Sequence, residues 1–207
     1  MGLSLTDLLD AVERGEFPPA DAGLTLVPQP SPREAAVLAF TAHIVVAADV
    51  DLAWIRTLLP PGDLSGAFTP PFLGPLADKL GRRVNAIDML VLAPPIPGAA
   101  DLSLSATDSD HPRVRRARRY RDDISIWQAD GGVIVLGRGL GGRWEAAIEV
   151  DADRRNHGLG RELARAARHL VPDGRPVWAQ IAPGNAASVR AFLAAGYAPV
   201  GMEALLV

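Results

Sequence analysis

Cysteine is absent from the 207-residue chain. That absence removes a disulfide framework, a thiolate nucleophile and any thiolate metal site. Lysine is nearly absent too: Lys79 stands alone against twenty arginines, within 21 basic residues in all. With abundant alanine, glycine and proline, this bias is that of a high-GC bacterial proteome, and a bacterial, cytoplasmic protein is expected. No apolar run is long enough to span a bilayer; the longest, residues 35–48, is broken by Thr41 and His43. A membrane partner is therefore not expected. Basic excess is also lacking, and a net charge of −3 speaks against a dedicated nucleic-acid binder. His43 and His111 have no metal-ligand spacing, so no metal is expected. The N-terminus lacks the basic region and apolar core of a signal peptide. Met1 to Thr6 fits an N-myristoylation pattern, but the bacterial composition turns the reading to a helix start capped at Ser4 or Thr6.

Hydrophobic residues make up 48% and charged residues 22%, an ordinary globular balance that allows one large domain or two small ones. Apolar periodicity and Gly/Pro punctuation predict helices over 4–15, 51–59, 69–81 and 111–123, the last rich in arginine. Strands are expected within 35–50 and over 86–93, 124–129, 133–136 and 144–150. Prolines from Pro18 to Pro32 mark an extended passage, and residues 94–112 form the best linker candidate. The fold class is mixed α/β. The expected division is an N-terminal α/β region of unassigned type, 1–105, and a second domain, 106–207.

One turn carries most of the chemistry. After the strand ending Ile148-Glu149-Val150 comes an acidic turn, then Arg155-Asn156-His157-Gly158-Leu159-Gly160, then a helix from Arg161 with Leu163, Ala166, Ala167 and Leu170 on one face. A glycine turn feeding a helix start is an anion site, because the first N–H groups lack partners and the dipole is positive there. Gly137 to Gly142 spells the dinucleotide fingerprint literally. The segment after it is short and strand-like, so a hairpin loop is expected; a helix at 144–150 would revive the nucleotide reading.

A second segment lies about thirty residues on. A strand over 176–182 leads to Asn185-Ala186-Ala187-Ser188-Val189-Arg190-Ala191-Phe192, a helix with an Asn cap and a stripe of Val189, Phe192 and Leu193, ending at Gly196-Tyr197. In these two segments the chain resembles the GNAT superfamily of N-acetyltransferases over residues 120–207. The superfamily's acetyl-CoA motif, Gln/Arg-x-x-Gly-x-Gly/Ala, is matched by Arg155, Gly158 and Gly160. Its following Asn-x-x-Ser/Ala helix with an aromatic and Gly-Phe/Tyr is matched by Asn185, Ser188, Phe192, Gly196 and Tyr197.

The resemblance implies a GNAT-like acyltransferase core, with a mostly antiparallel sheet and parallel, splayed central strands at 144–150 and 177–182. It implies acetyl-CoA as cosubstrate. Ile148, Glu149 and Val150 would border the pantetheine arm; Arg155, Asn156, His157, Gly158, Leu159, Gly160 and Arg161 would hold the diphosphate; Asn185 and Ser188 belong to the next helix. The implied reaction is direct transfer of acetyl to a primary amine of a small molecule or protein. Glu145, about ten residues before Arg155, is the expected general base, with Glu149 on the same strand face. Otherwise the two are structural carboxylates paired with Arg138 or Arg143. Many relatives carry a tyrosine acid where this chain has Phe192, leaving Ser188, a water or Tyr197 as substitutes. The alternative function is a non-catalytic acyl-CoA-binding regulatory module on the same fold. The cluster Arg113, Arg115, Arg116, Arg118, Arg119 and Arg121 offers nucleic acid, an acidic acceptor or a CoA phosphate as ligands, against a plain solvated helix face. A homodimer is left open.

Overall fold

Near-continuous apolar runs give the buried strands over 35–40, 43–47 and 132–138, three-to-four apolar spacing gives the helices, and the fold is mixed α/β. The computed structural model describes residues 2–207. Its first half holds α1 (Leu5–Glu13), β1 (Gly23–Val27), β2 (Ala35–Phe40), β3 (His43–Ala47), α2 (Leu52–Leu58), α3 (Pro70–Leu80) and β4 (Val84–Ala93). There follow β5 (Ser105–Ala106), α4 (Pro112–Tyr120), β6 (Asp122–Ala129), β7 (Gly132–Arg138), β8 (Trp144–Val150), α5 (Leu159–Leu170), β9 (Val177–Ile181), α6 (Ala186–Ala194) and β10 (Ala198–Leu206). No helix among the described residues is long and apolar enough to cross a membrane.

The chain forms two compact units, one reaching Met89 and reclaiming Val200–Val207, the other Leu90–Pro199. The units change inside β4, between Met89 and Leu90. In the first unit the strand order is β1-β3-β2-β10, with the start of β4 beside β10. β1 and β3 are parallel, while β2 is antiparallel to both β3 and β10, from Met202↔Ala39 to Leu206↔Ala35. Val37, Val46 and Leu206 share a core with Ile55 of α2 and Phe72 and Leu76 of α3. Ser4 caps α1 in a reciprocal box with Asp7. Buried His43 is held between the Asp21 carboxylate (2.8 Å) and the Thr25 hydroxyl (2.9 Å), a hydrogen-bonded core histidine.

In the second unit the order is β9-β8-β7-β6-β5, with the end of β4 beside β9. β5 to β8 are successive antiparallel neighbours, and β8 and β9 run parallel. α4 lays Val114 and Ala117 on Ile126, Val133 and Val135. α5 buries Leu159, Leu163, Ala166 and Ala167. Gly137 to Gly142 is the loop between β7 and β8, closed by Gly139 N–H donating to Arg143 C=O at 3.0 Å, so the dinucleotide fingerprint is a hairpin. The linker candidate is anchored: Arg168 Nε donates to Pro94 C=O at 2.9 Å and Ile96 N–H to Arg168 C=O at 3.0 Å.

Candidate active site

β8 and β9 pair at Glu145↔Trp178. From there to Val150, β8 keeps its β7 partners, Ile148↔Ile134 through Val150↔Gly132, and has no ladder partner on the β9 side among the described residues. The strands splay, and the backbone of Ile148, Glu149 and Val150 borders the gap.

At the open end the chain enters α5 two residues earlier than Arg161, because Gly160 sits inside the first turn. Gly158 is the N-cap at φ +91°, a left-handed conformation that strains an L side chain. Among the described residues, no acceptor takes a hydrogen bond from the N–H of Gly158, Leu159 or Gly160. A Cβ placed on Gly160 would lie 3.7 Å from both Ala191 of α6 and Val150 of β8. The start of α5 therefore sits between β8 and α6, with three free amides and the positive end of a dipole. A diphosphate fits these donors, and an extended arm fits the unpaired edge of β8. Asn156 takes a left-handed turn at φ +64°; Asn156, His157 and Arg161 are exposed.

Glu145, the expected base, is enclosed. It is 3% exposed, and its oxygens accept from Arg143 Nε (2.8 Å), Gln180 Nε2 (2.5 Å) and Arg121 Nε (2.8 Å). Burial pushes its carboxyl up, but the charges and hydrogen bonds of Arg143 and Arg121 outweigh that and hold it below the usual carboxylate range. A base needs a reachable lone pair and a proton affinity near the working pH; Glu145 has neither. Its position also explains Gly139, where a Cβ would collide with the Glu145 carboxyl. The reading of Glu145 as a structural carboxylate on Arg143 is the one the geometry supports.

Glu149, on the same strand face, is less enclosed. Arg113 grips its Oε2, and Arg155 reaches its Oε1 at 3.5 Å while donating to Val150 C=O at 3.2 Å. Arg155 is thus folded back on β8 rather than out over the turn, and Arg138, stacked on Trp144, is not Glu149's partner. Beside Glu149 lies a cleft of about 450 Å³ lined by His111, Arg113, Arg116, Asp151 and Arg155. Sequence reasoning missed this grouping. The i, i+2 pair Arg143–Glu145 was visible, whereas Arg121, Gln180 and Arg113 arrive from distant segments. Among the described residues no group of three or more acidic or histidine side chains is placed to hold a metal ion.

The chain is similar to solved GNAT acetyltransferases. A GCN5-related N-acetyltransferase from Kribbella flavida shares 17% identity over 65% of this chain and 62% of that one, at TM-score 0.42. A putative GNAT-family acetyltransferase from Novosphingobium aromaticivorans shares 17% over 61% and 67%, at 0.43. A tandem GNAT protein from the clavulanic acid biosynthesis pathway shares 16% over 67% and 58%, at 0.37. This chain thus spans about six-tenths of the length of those structures. No family model and no curated protein matches the sequence.

In the helix that carries the second GNAT-like motif, Asn185 Oδ1 accepts from Ser188 N–H at 3.1 Å, capping α6. Phe192 is buried edge-on against Tyr197, with centroids 4.9 Å apart; Leu193, expected in the stripe, is exposed. Tyr197 donates its hydroxyl to Ala164 C=O at 3.2 Å. Burial pushes its phenol well above the ordinary tyrosine value, so it is not a working acid. The arginine cluster is mostly committed: Arg113 to Glu149, Arg115 to Asp110, Arg118 to Asp108 and Arg121 to Glu145.

Proposed function

We propose that the protein is an acetyl-CoA-dependent N-acetyltransferase acting on a primary amine. The observation that carries this reading is the opening between β8 and β9 beside three unpartnered amides at the start of α5. Gly158, Leu159 and Gly160 would take the diphosphate, and the edge of Ile148 to Val150 the pantetheine arm. Bound there, acetyl-CoA supplies an activated acetyl group. The amine nitrogen forms a bond to the acetyl carbon as the carbon–sulfur bond breaks. Sulfur leaves with the bonding electrons and takes a proton, and the amine gives one proton up. Without a tyrosine acid or a free Glu145, both protons exchange with solvent. Rate acceleration then rests on holding the two reactants together, with Glu149 as an acceptor for the amine's N–H.

The test is calorimetry on Gly158→Val. A β-branched side chain there should lower acetyl-CoA affinity at least about tenfold, roughly 1.4 kcal/mol, with the fold checked by circular dichroism. Binding equal to wild type would remove the cosubstrate from this turn. The engagement of Glu145, Phe192 and Tyr197 in packing favours a second reading, a non-catalytic acyl-CoA-binding module. Acetyl-CoA binding without thiol release for any amine would select it.

A further inference from the structure

We propose that the cleft between the start of α4 and the end of β8 is the acceptor pocket, and that the acceptor is a small amine carrying a carboxylate, of the amino-acid class. The proposal rests on the acetyl-transfer reading above.

Its location comes first. The cleft is bounded by Glu149 and Val150, the stretch of β8 whose other edge lies open. A molecule filling it is beside the strand along which the pantetheine arm would lie. Its size, about 450 Å³, suits a small molecule.

The charges decide the class. Three guanidiniums, Arg113, Arg116 and Arg155, meet two carboxylates, Glu149 and Asp151. Arg113 and Arg155 are both spent on Glu149. Arg116 is exposed and stacks on the Tyr120 ring at 5.4 Å, and no carboxylate pairs with it among the described residues. One planar fork is therefore left at the cleft, the geometry that takes a carboxylate through two parallel hydrogen bonds. His111 adds a donor. Its Nδ1 accepts from Arg113 N–H at 3.1 Å, which leaves the proton of the neutral ring on Nε2. For the other end of the ligand, Asp151 is exposed; the nearby Arg154 feels its charge but makes its ion pair with Asp130, so the Asp151 carboxylate suits an incoming ammonium. A cleft lined by both a guanidinium and a carboxylate outside ion pairs recognises a zwitterion better than a simple amine or a protein lysine.

The experiment pairs amines that differ only by the carboxylate: β-alanine with propylamine, and lysine with cadaverine. Release of CoA thiol gives kcat/KM for each. The carboxylated member should lead by about tenfold or more, and Arg116→Gln should bring the ratio near one by raising KM. Equal rates for the two members, or an unchanged ratio in R116Q, would overturn the pocket. If no amine releases thiol, β-alanine and lysine are titrated into the protein by calorimetry with CoA present. Heat that R116Q abolishes upholds the pocket and removes the transfer chemistry; absence of heat overturns the pocket itself. A parallel acetyl-CoA titration reads the cosubstrate site on its own.

Discussion

A carboxylate withdrawn from water stays charged only where cations and donors replace its hydration. Glu145 has two guanidiniums and an amide, and Arg143, itself 1% exposed, depends on it in return. Removing one partner of such a pair costs about 3–5 kcal/mol, because the other charge stays buried. Glu145→Gln should therefore lower the thermal midpoint at pH 7 by on the order of 10 °C, and adding Arg143→Met should recover part of the loss. The pH dependence follows from the direction of the shift. The folded carboxyl lies below its ordinary value, so its contribution is complete above the unfolded value of about 4.3 and disappears as pH falls through the lower folded one. Melting curves between pH 7 and 3 should show this acid-sensitive part in the wild type and not in E145Q. A variant as stable as the wild type throughout would sink the structural role.

Among the elements, α6 shows what a short motif establishes and what it leaves open. Asn185 and Ser188 match a cosubstrate motif, yet in the structure they satisfy each other at the helix start. Asn185→Ala should cost about 1 kcal/mol, a shift of roughly 2–4 °C for a chain this size. Asn185→Asp should restore most of it, and acetyl-CoA affinity should stay within about twofold in both variants; a large affinity loss in the Asp variant would give Asn185 a direct contact instead. The helices with caps and clear periodicity, α1, α2 and α3, and the strands β2, β3, β8 and β9 were legible from local pattern. β1 was not, because Pro28 and Pro30 outweighed five residues of strand. The early start of α5 was hidden by Gly158 and Gly160, which read as turn although Gly160 is helical. At the site, the glycine turn was legible because it is local, whereas the splay, whose strands meet at Glu145 and Trp178, was implied only by the resemblance to GNAT acetyltransferases. The partners of Glu145 and Glu149 were not, since Arg121 and Arg113 lie 24 and 36 residues away and no periodicity encodes such a meeting.

For the molecule as a whole, the decisive strand is β10, which residues 200–207 contribute to the first unit. Its Ala204 and Leu206 are wholly buried there, and its backbone pairs with Ala35 to Ala39. Deleting 200–207 should strip hydrogen-exchange protection from residues 35–47 and weaken the near-ultraviolet signal of Trp54, the one tryptophan before Met89; unchanged protection would show that the strand is dispensable. This placement also sets an order of assembly. On a ribosome, Leu90–Pro199 is contiguous and can consolidate as soon as it emerges. The earlier-made residues must wait, with the apolar edge of β2 unpaired, until their last strand is synthesised after the entire second unit. That waiting edge, not the mature surface, is where nascent-chain aggregation and chaperone capture would be concentrated.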